Sequence, residues 1–213
     1  MAVLLPLIAL SAGLAIYGEM SSRRPLVYVF KPLTTILIVV LAALLTDPDG
    51  RYRFAVIVGL LFSLAGDVFL MLPADRFIAG VAAFLAAHLA YLTAFTALVP
   101  LAASPAAFAA VAVIAAGILV ALWRSLPARL RPPLVVYAVV LGAMAAQAIS
   151  QAAVRGTAAA TAGAVGAALF LASDSALVTN RFARPFRLAP LVVLGTYYLA
   201  QVLIAISLMG TAL

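Results

Sequence analysis

The stretch GLLFSLAGDVFLML, residues 59–72, holds thirteen apolar or small residues and one carboxylate, Asp67. It decides the fold. The run does not alternate as a half-buried strand would, and it carries no turn residues beyond two separated glycines. An apolar run of this length reads as a helix in lipid, because only helices and closed barrels satisfy their backbone N–H and C=O groups there. A span needs about 20 such residues, and the run extends back to residue 54. Reading outward, seven further segments qualify: 2–18, 27–45, 77–99, 104–123, 133–151, 157–179 and 189–211. The expectation is an all-α membrane protein, a bundle of eight transmembrane helices forming one membrane domain over residues 1–213. The first segment is slightly short, so seven spans is the alternative count.

Composition agrees. Of 213 residues, 68% are hydrophobic and 9% charged, with a mean hydropathy of +1.27. A soluble domain averages about 45–50% apolar and about 25% charged. Cysteine is absent, which excludes disulfides, thiolate metal sites and a Cys nucleophile. A single histidine excludes any site built on several imidazoles. The formal charge of +7 reads as basic membrane flanks and not as a nucleic-acid surface. Ten of the thirteen basic residues fall in or near odd-numbered connections: Arg23, Arg24, Lys31, Arg76, Arg124, Arg129, Arg131, Arg181, Arg184 and Arg187. Arg51, Arg53 and Arg155 fall in even ones. This places odd connections in the cytoplasm and both termini outside, as in a bacterial inner-membrane protein. Residues 2–18 lack a basic leader, so they read as a first helix and not as a cleaved signal peptide. Asp47-Pro48-Asp49-Gly50 reads as a turn on the outer face.

A second carboxylate occupies a similar place. GLLFSLAGDVFLM (59–71) set against GAALFLASDSALV (166–178) aligns Asp67 with Asp174, and the offset pairs the third helix with the seventh. That is compatible with two parallel four-helix halves, although matches come cheaply in an Ala/Leu-rich chain. Asp67 lies six residues before Pro73, and Asp174 seven before Arg181. At 1.5 Å per residue, both sit about 10 Å in from the cytoplasmic end. A charged group at membrane depth costs roughly 2.5–3.5 kcal/mol on insertion scales and should face the bundle interior or water. The competing reading of either aspartate, weaker for the pair, is a structural partner to a basic residue or a helix-packing hydrogen bond.

The surrounding faces are small: Gly59, Ser63 and Gly66 near the first carboxylate, and Gly163, Gly166, Ser173 and Ser175 near the second. Small residues allow close helix approach, so these faces should point inward. The fourth segment carries Phe77, Phe84, His88, Tyr91 and Phe95 on one face. A lone histidine there is as readily a packing residue as a ligand. Tyr137, Met144 and Gln147 lie on the sixth segment, and Tyr197, Tyr198 and Gln201 on the eighth. Lys31-Pro32 opens the second, where Lys31 is either a snorkelling interfacial residue or a phosphate contact. Arg181 to Arg187 reads as a basic anchor that also meets anionic lipid. No G-x-S-x-G, H-E-x-x-H or phosphate-binding glycine loop occurs.

These pieces together resemble the YhhN family of membrane proteins. The matching pieces are KP (31–32), GDVFLML (66–72), G-x-x-x-F-x-x-x-H-x-x-Y (80–91), Tyr137, GAALFLASDS (166–175) and Y-x-x-x-Q-x-L-I (197–204). Characterised animal members are lysoplasmalogenases. The resemblance implies hydrolysis of the vinyl ether bond of a lysophospholipid substrate, giving a fatty aldehyde and glycerophosphocholine or glycerophosphoethanolamine. It implies Asp67 and Asp174 as the catalytic pair. It makes Lys31, His88, Tyr91, Tyr137, Ser173, Tyr197 and Gln201 candidates for holding headgroup or water, and no metal or other cofactor is implied. The chemistry suits two carboxyls. A vinyl ether hydrolyses by slow proton transfer to its β-carbon, giving an oxocarbenium ion that water captures, as glycosidases manage with paired carboxyls. Burial and a neighbouring carboxylate are what keep one acid protonated near neutral pH. Which aspartate is the acid stays open here. So do two rivals, a proton-coupled transporter and a non-catalytic lipid-binding protein. Composition and spacing alone leave enzyme and transporter level.

Overall fold

The computed structural model describes residues 1, 3–45, 49–74 and 76–210. Eight α-helices account for most of them, and no strand occurs among the described residues. They are α1 (Leu4–Met20), α2 (Arg24–Leu44), α3 (Gly50–Met71), α4 (Phe77–Leu98), α5 (Pro105–Leu122), α6 (Arg131–Arg155), α7 (Ala158–Val178) and α8 (Ala189–Ile206). Each expected segment is a helix. Residues 2 and 211, at the ends of the first and last expected spans, lie outside the described residues, as do Asp47 and Pro48 of the expected turn. Among the described residues seven helices are long and apolar enough to cross a membrane, and α1, with 17 residues, is shorter. At 1.5 Å per residue α1 reaches about 26 Å, against a hydrocarbon core of about 30 Å. The chain is an integral membrane protein.

Local chemistry sets the helix ends. Prolines occupy the first turn of α2, α5, α6 and α8, where their missing N–H has no intrahelical role. Asp49, Ser104 and Thr157 cap α3, α5 and α7 by accepting backbone amides. Gly156, at φ +62°, stops α6 in the left-handed conformation that glycine adopts without a steric penalty. A five-residue π turn, Thr179–Ala183, extends α7.

Sequence neighbours pack as hairpins, α1 on α2, α3 on α4, α5 on α6 and α7 on α8. The hairpins meet in a repeating pattern: α2 lies on α3 as α6 lies on α7, and α8 lies on α2 as α4 lies on α6. This is the correspondence that two four-helix halves would produce. α5 departs from it. It packs on α6 and the π turn, and only Ala107 and Val111 of its residues are buried.

The small faces do point inward. Gly66 receives the ring of Phe84, which stands 2.5 Å from where a Cβ would lie, and Gly59 receives Tyr91 at 2.3 Å. Gly166 lies against the α8 backbone, with the Ala200 carbonyl oxygen 2.9 Å from a would-be Cβ. The Phe84 and Tyr91 rings can shift, whereas the α8 backbone cannot move without its helix. Gly166→Leu is therefore expected to separate α7 from α8 and lower the thermal unfolding temperature in detergent by more than Gly66→Ala does, a comparison that a melting series settles.

Candidate active site

The α4 stripe is buried on one face, with His88 and Tyr91 fully so. That face turns two of its polar groups to different neighbours. Tyr91 donates to Gln201 Oε1 of α8 at 2.6 Å. His88 Nε2 lies 2.9 Å from the Tyr137 hydroxyl and 3.3 Å from Asp174 Oδ2. Tyr137 donates to the same Asp174 oxygen at 2.5 Å. Helices α4, α6 and α7 thus converge on Asp174.

Asp67 is gripped by the corresponding pair of helices, α2 and α8. Thr35 of α2 donates to Asp67 Oδ2 at 2.7 Å. Tyr197 of α8 donates to it at 2.7 Å. Lys31 Nζ stands 3.9 Å from Oδ1. Lys31 is not a snorkelling residue at the start of its helix. α2 begins at Arg24, seven residues earlier, and Lys31 is buried inside the bundle. Its long stem spans the gap that burial leaves, and its ammonium neutralises a carboxylate that would otherwise be isolated there.

The two carboxyls therefore belong to two hydrogen-bonded clusters. Aromatic rings stand between them: Phe170 contacts His88 at 4.7 Å and Tyr197 at 5.5 Å between centroids, and Phe84 meets both Phe170 and Tyr197 edge-on. The clusters differ in access. Asp67 keeps 2% of its side-chain surface and Asp174 keeps 12%. Asp174 and Tyr137 border a cavity of about 60 Å³ on the α5 side and a tighter one of about 20 Å³ beneath Phe77 and Phe84. Lys31 borders a separate cleft of about 180 Å³ with Asn180, Arg181 and Glu19. Arg181 is seated on the Phe77 ring at 4.4 Å.

The remaining candidates divide. Ser173 donates to the Val193 carbonyl of α8 at 2.9 Å, which is a packing bond. Gln147 ties down the end of α4, donating to the Val99 and Pro100 carbonyls and accepting from the Ala102 amide. Tyr91 and Gln201 pair with each other in the core. Thr35 and Phe170 belong to the site and were not singled out from sequence. A β-branched hydroxyl one turn after Lys31 was the available signal for Thr35. Among the described residues no group of three or more metal-ligating side chains occurs.

Comparison with known proteins bears on this arrangement. The chain is 40% identical over 164 residues to Lysoplasmalogenase TMEM86B of Sus scrofa, covering 76% of this chain and 66% of that protein. It is 34% identical over 161 residues to the Homo sapiens protein of the same name, with the same coverage. It is 34% identical over 198 residues to a lysoplasmalogenase of Mycobacterium tuberculosis, covering 88% of this chain and 72% of that one. The chain thus spans just under two thirds of the length of the two mammalian relatives. No solved structure matches it. The pattern of the YhhN family matches residues 26–208, a range that contains both aspartates and every side chain that grips them, and the chain belongs to that family.

Proposed function

We propose that this protein is a membrane hydrolase of lysoplasmalogens, cleaving the vinyl ether bond to a fatty aldehyde and a glycerophospho-headgroup. The observation that carries the reading is Asp174, a carboxyl held by Tyr137 and His88 at the edge of a mostly apolar cavity. Kinship with proteins named lysoplasmalogenases supports the substrate class. Asp174 gives its proton to the β-carbon of the vinyl ether. The oxocarbenium ion that forms is captured by water, whose proton returns to the Asp174 carboxylate. The hemiacetal then collapses to the aldehyde and the free glycerol hydroxyl. Tyr137 and His88 fix the carboxyl's orientation.

Asp67 takes a different part. It orients Lys31, whose ammonium borders the cleft where a headgroup phosphate fits. Both aspartates are then required, one for proton transfer and one for positioning. The whole assembly lies at the end of the bundle rich in basic residues, which the positive-inside rule assigns to the cytoplasm.

The test is aldehyde release from a lysoplasmalogen by the purified, detergent-solubilised protein. Aldehyde and glycerophospho-headgroup are expected in equal amounts. Proton-coupled uptake into vesicles with no product formed would replace this reading with the transporter.

A further inference from the structure

The cavities around Asp174 are neighbours that share walls. The 60 Å³ cavity shares Ala115, Leu119 and Ala138 with a groove of about 320 Å³ that runs outward between α5 and α6. In the other direction it shares Tyr137, Asp174, Leu134 and Val178 with the constriction beneath Phe84. That constriction shares Leu70, Phe77 and Leu177 with the Lys31–Arg181 cleft. An apolar groove, a carboxyl and a cleft bearing Lys31, Arg181 and Glu19 therefore lie in series.

The sequence explains the groove. Facing positions on α5 and α6 are too small to fill the space between the helices, among them Ala112, Ala116, Gly142 and Ala143. A Cβ added at Gly142 would meet its nearest neighbours only at 3.8 Å. Because α5 packs mainly on α6 and buries only Ala107 and Val111, the groove stands at the periphery, where lipid chains lie. From Ala138 to Ala146 it follows α6 for about 12 Å at 1.5 Å per residue.

We propose that this groove holds the hydrocarbon chain of a single-chain phospholipid, whose phosphate is held in the Lys31–Arg181 cleft, so that the chain's first bonds lie against Asp174. The polarity along the series selects this occupant over a peptide or a second copy of the chain. One end is apolar, the other carries the cations Lys31 and Arg181 against the single carboxylate Glu19, and the constriction between them has room for only a slender group. The assignment rests on the lysolipid reading above and adds the direction in which the lipid lies. It also makes Ala138, half-buried at the junction of groove and carboxyl, a determinant of chain length.

The experiment uses a saturated 1-O-alkyl lysophosphocholine with a diazirine at the chain end. This probe cannot be hydrolysed at a vinyl ether, so the result does not depend on turnover. Photolysis with the full chain in nanodiscs is expected to place adducts on residues 112–119 and 138–146. Excess unlabelled alkyl lysophosphocholine should remove them, and Ala138→Phe should cut them about tenfold. In turnover, Ala138→Phe should lower kcat/KM for long alkenyl chains by about the same factor and for short ones by less. Adducts spread evenly over the lipid-facing helices, or unmoved by competitor, would overturn the proposal even if aldehyde is released. Competed adducts in the groove with no aldehyde from lysoplasmalogen would uphold the site and overturn the hydrolase reading instead.

Discussion

Asp174→Asn is expected to release aldehyde from lysoplasmalogen about 10²–10⁴-fold more slowly than the wild-type chain, the range that general acids contribute. The substitution is close to isosteric. An asparagine carbonyl still accepts from Tyr137, so the α6–α7 contact survives and the melting temperature should barely move. What is lost is the transferable proton. Since transfer to carbon is the slow step, the wild-type reaction in D2O should show a normal primary isotope effect and place one deuterium beside the aldehyde carbon when the product is trapped at once. Tyr137→Phe tests the support of that carboxyl. It removes a donor to Asp174 worth about 1.5–3 kcal/mol, which converts to about a 10- to 100-fold loss, with the isotope effect retained. Full activity in a folded Asp174→Asn protein would remove Asp174 from the chemistry.

The apolar runs made the eight helices legible, because a bilayer leaves the backbone no other solution. The inward faces were legible as well. Gly66 and Gly166 sit under neighbouring helices, and the α4 stripe is buried along its length. Periodicity gives a residue its face but not the helix that the face will meet. Hence His88 could be placed beside Tyr91 on one stripe, yet the two reach different partners, Asp174 through α6 and α7 and Gln201 on α8. The depth of Lys31 escapes the sequence for a related reason. Counting charges for topology treats every lysine near a span end as interfacial, whereas three donors around one carboxylate, Lys31, Thr35 and Tyr197, assemble only when α2, α3 and α8 come together. Asp67 and Asp174 do share a position, four residues before the ends of their helices. A shared depth did not imply a shared cluster. Phe170 and Phe84, which look like ordinary core residues in the sequence, are what divide them.

Lys31→Met should destabilise the protein by about 3–5 kcal/mol, the cost of leaving a buried carboxylate without its cation. Thr35 and Tyr197 still donate to Asp67 and place the loss toward the lower end. Asp67→Asn should cost a similar amount by stranding the ammonium in the bundle. In the double variant Lys31→Met/Asp67→Asn no charge is stranded, and the asparagine carbonyl still accepts from both hydroxyls. Most of the stability should return, giving a large coupling energy in a double-mutant cycle read by unfolding in detergent. Activity should not return with it. If Lys31 holds the phosphate, the double variant folds well and still shows a raised KM, with kcat less affected because Asp174 is intact. Additive losses in the cycle would mean that the two groups do not act as a pair. Recovery of KM together with stability would reduce Lys31 to a structural counter-ion, and the phosphate would then have to be held by Arg181 alone.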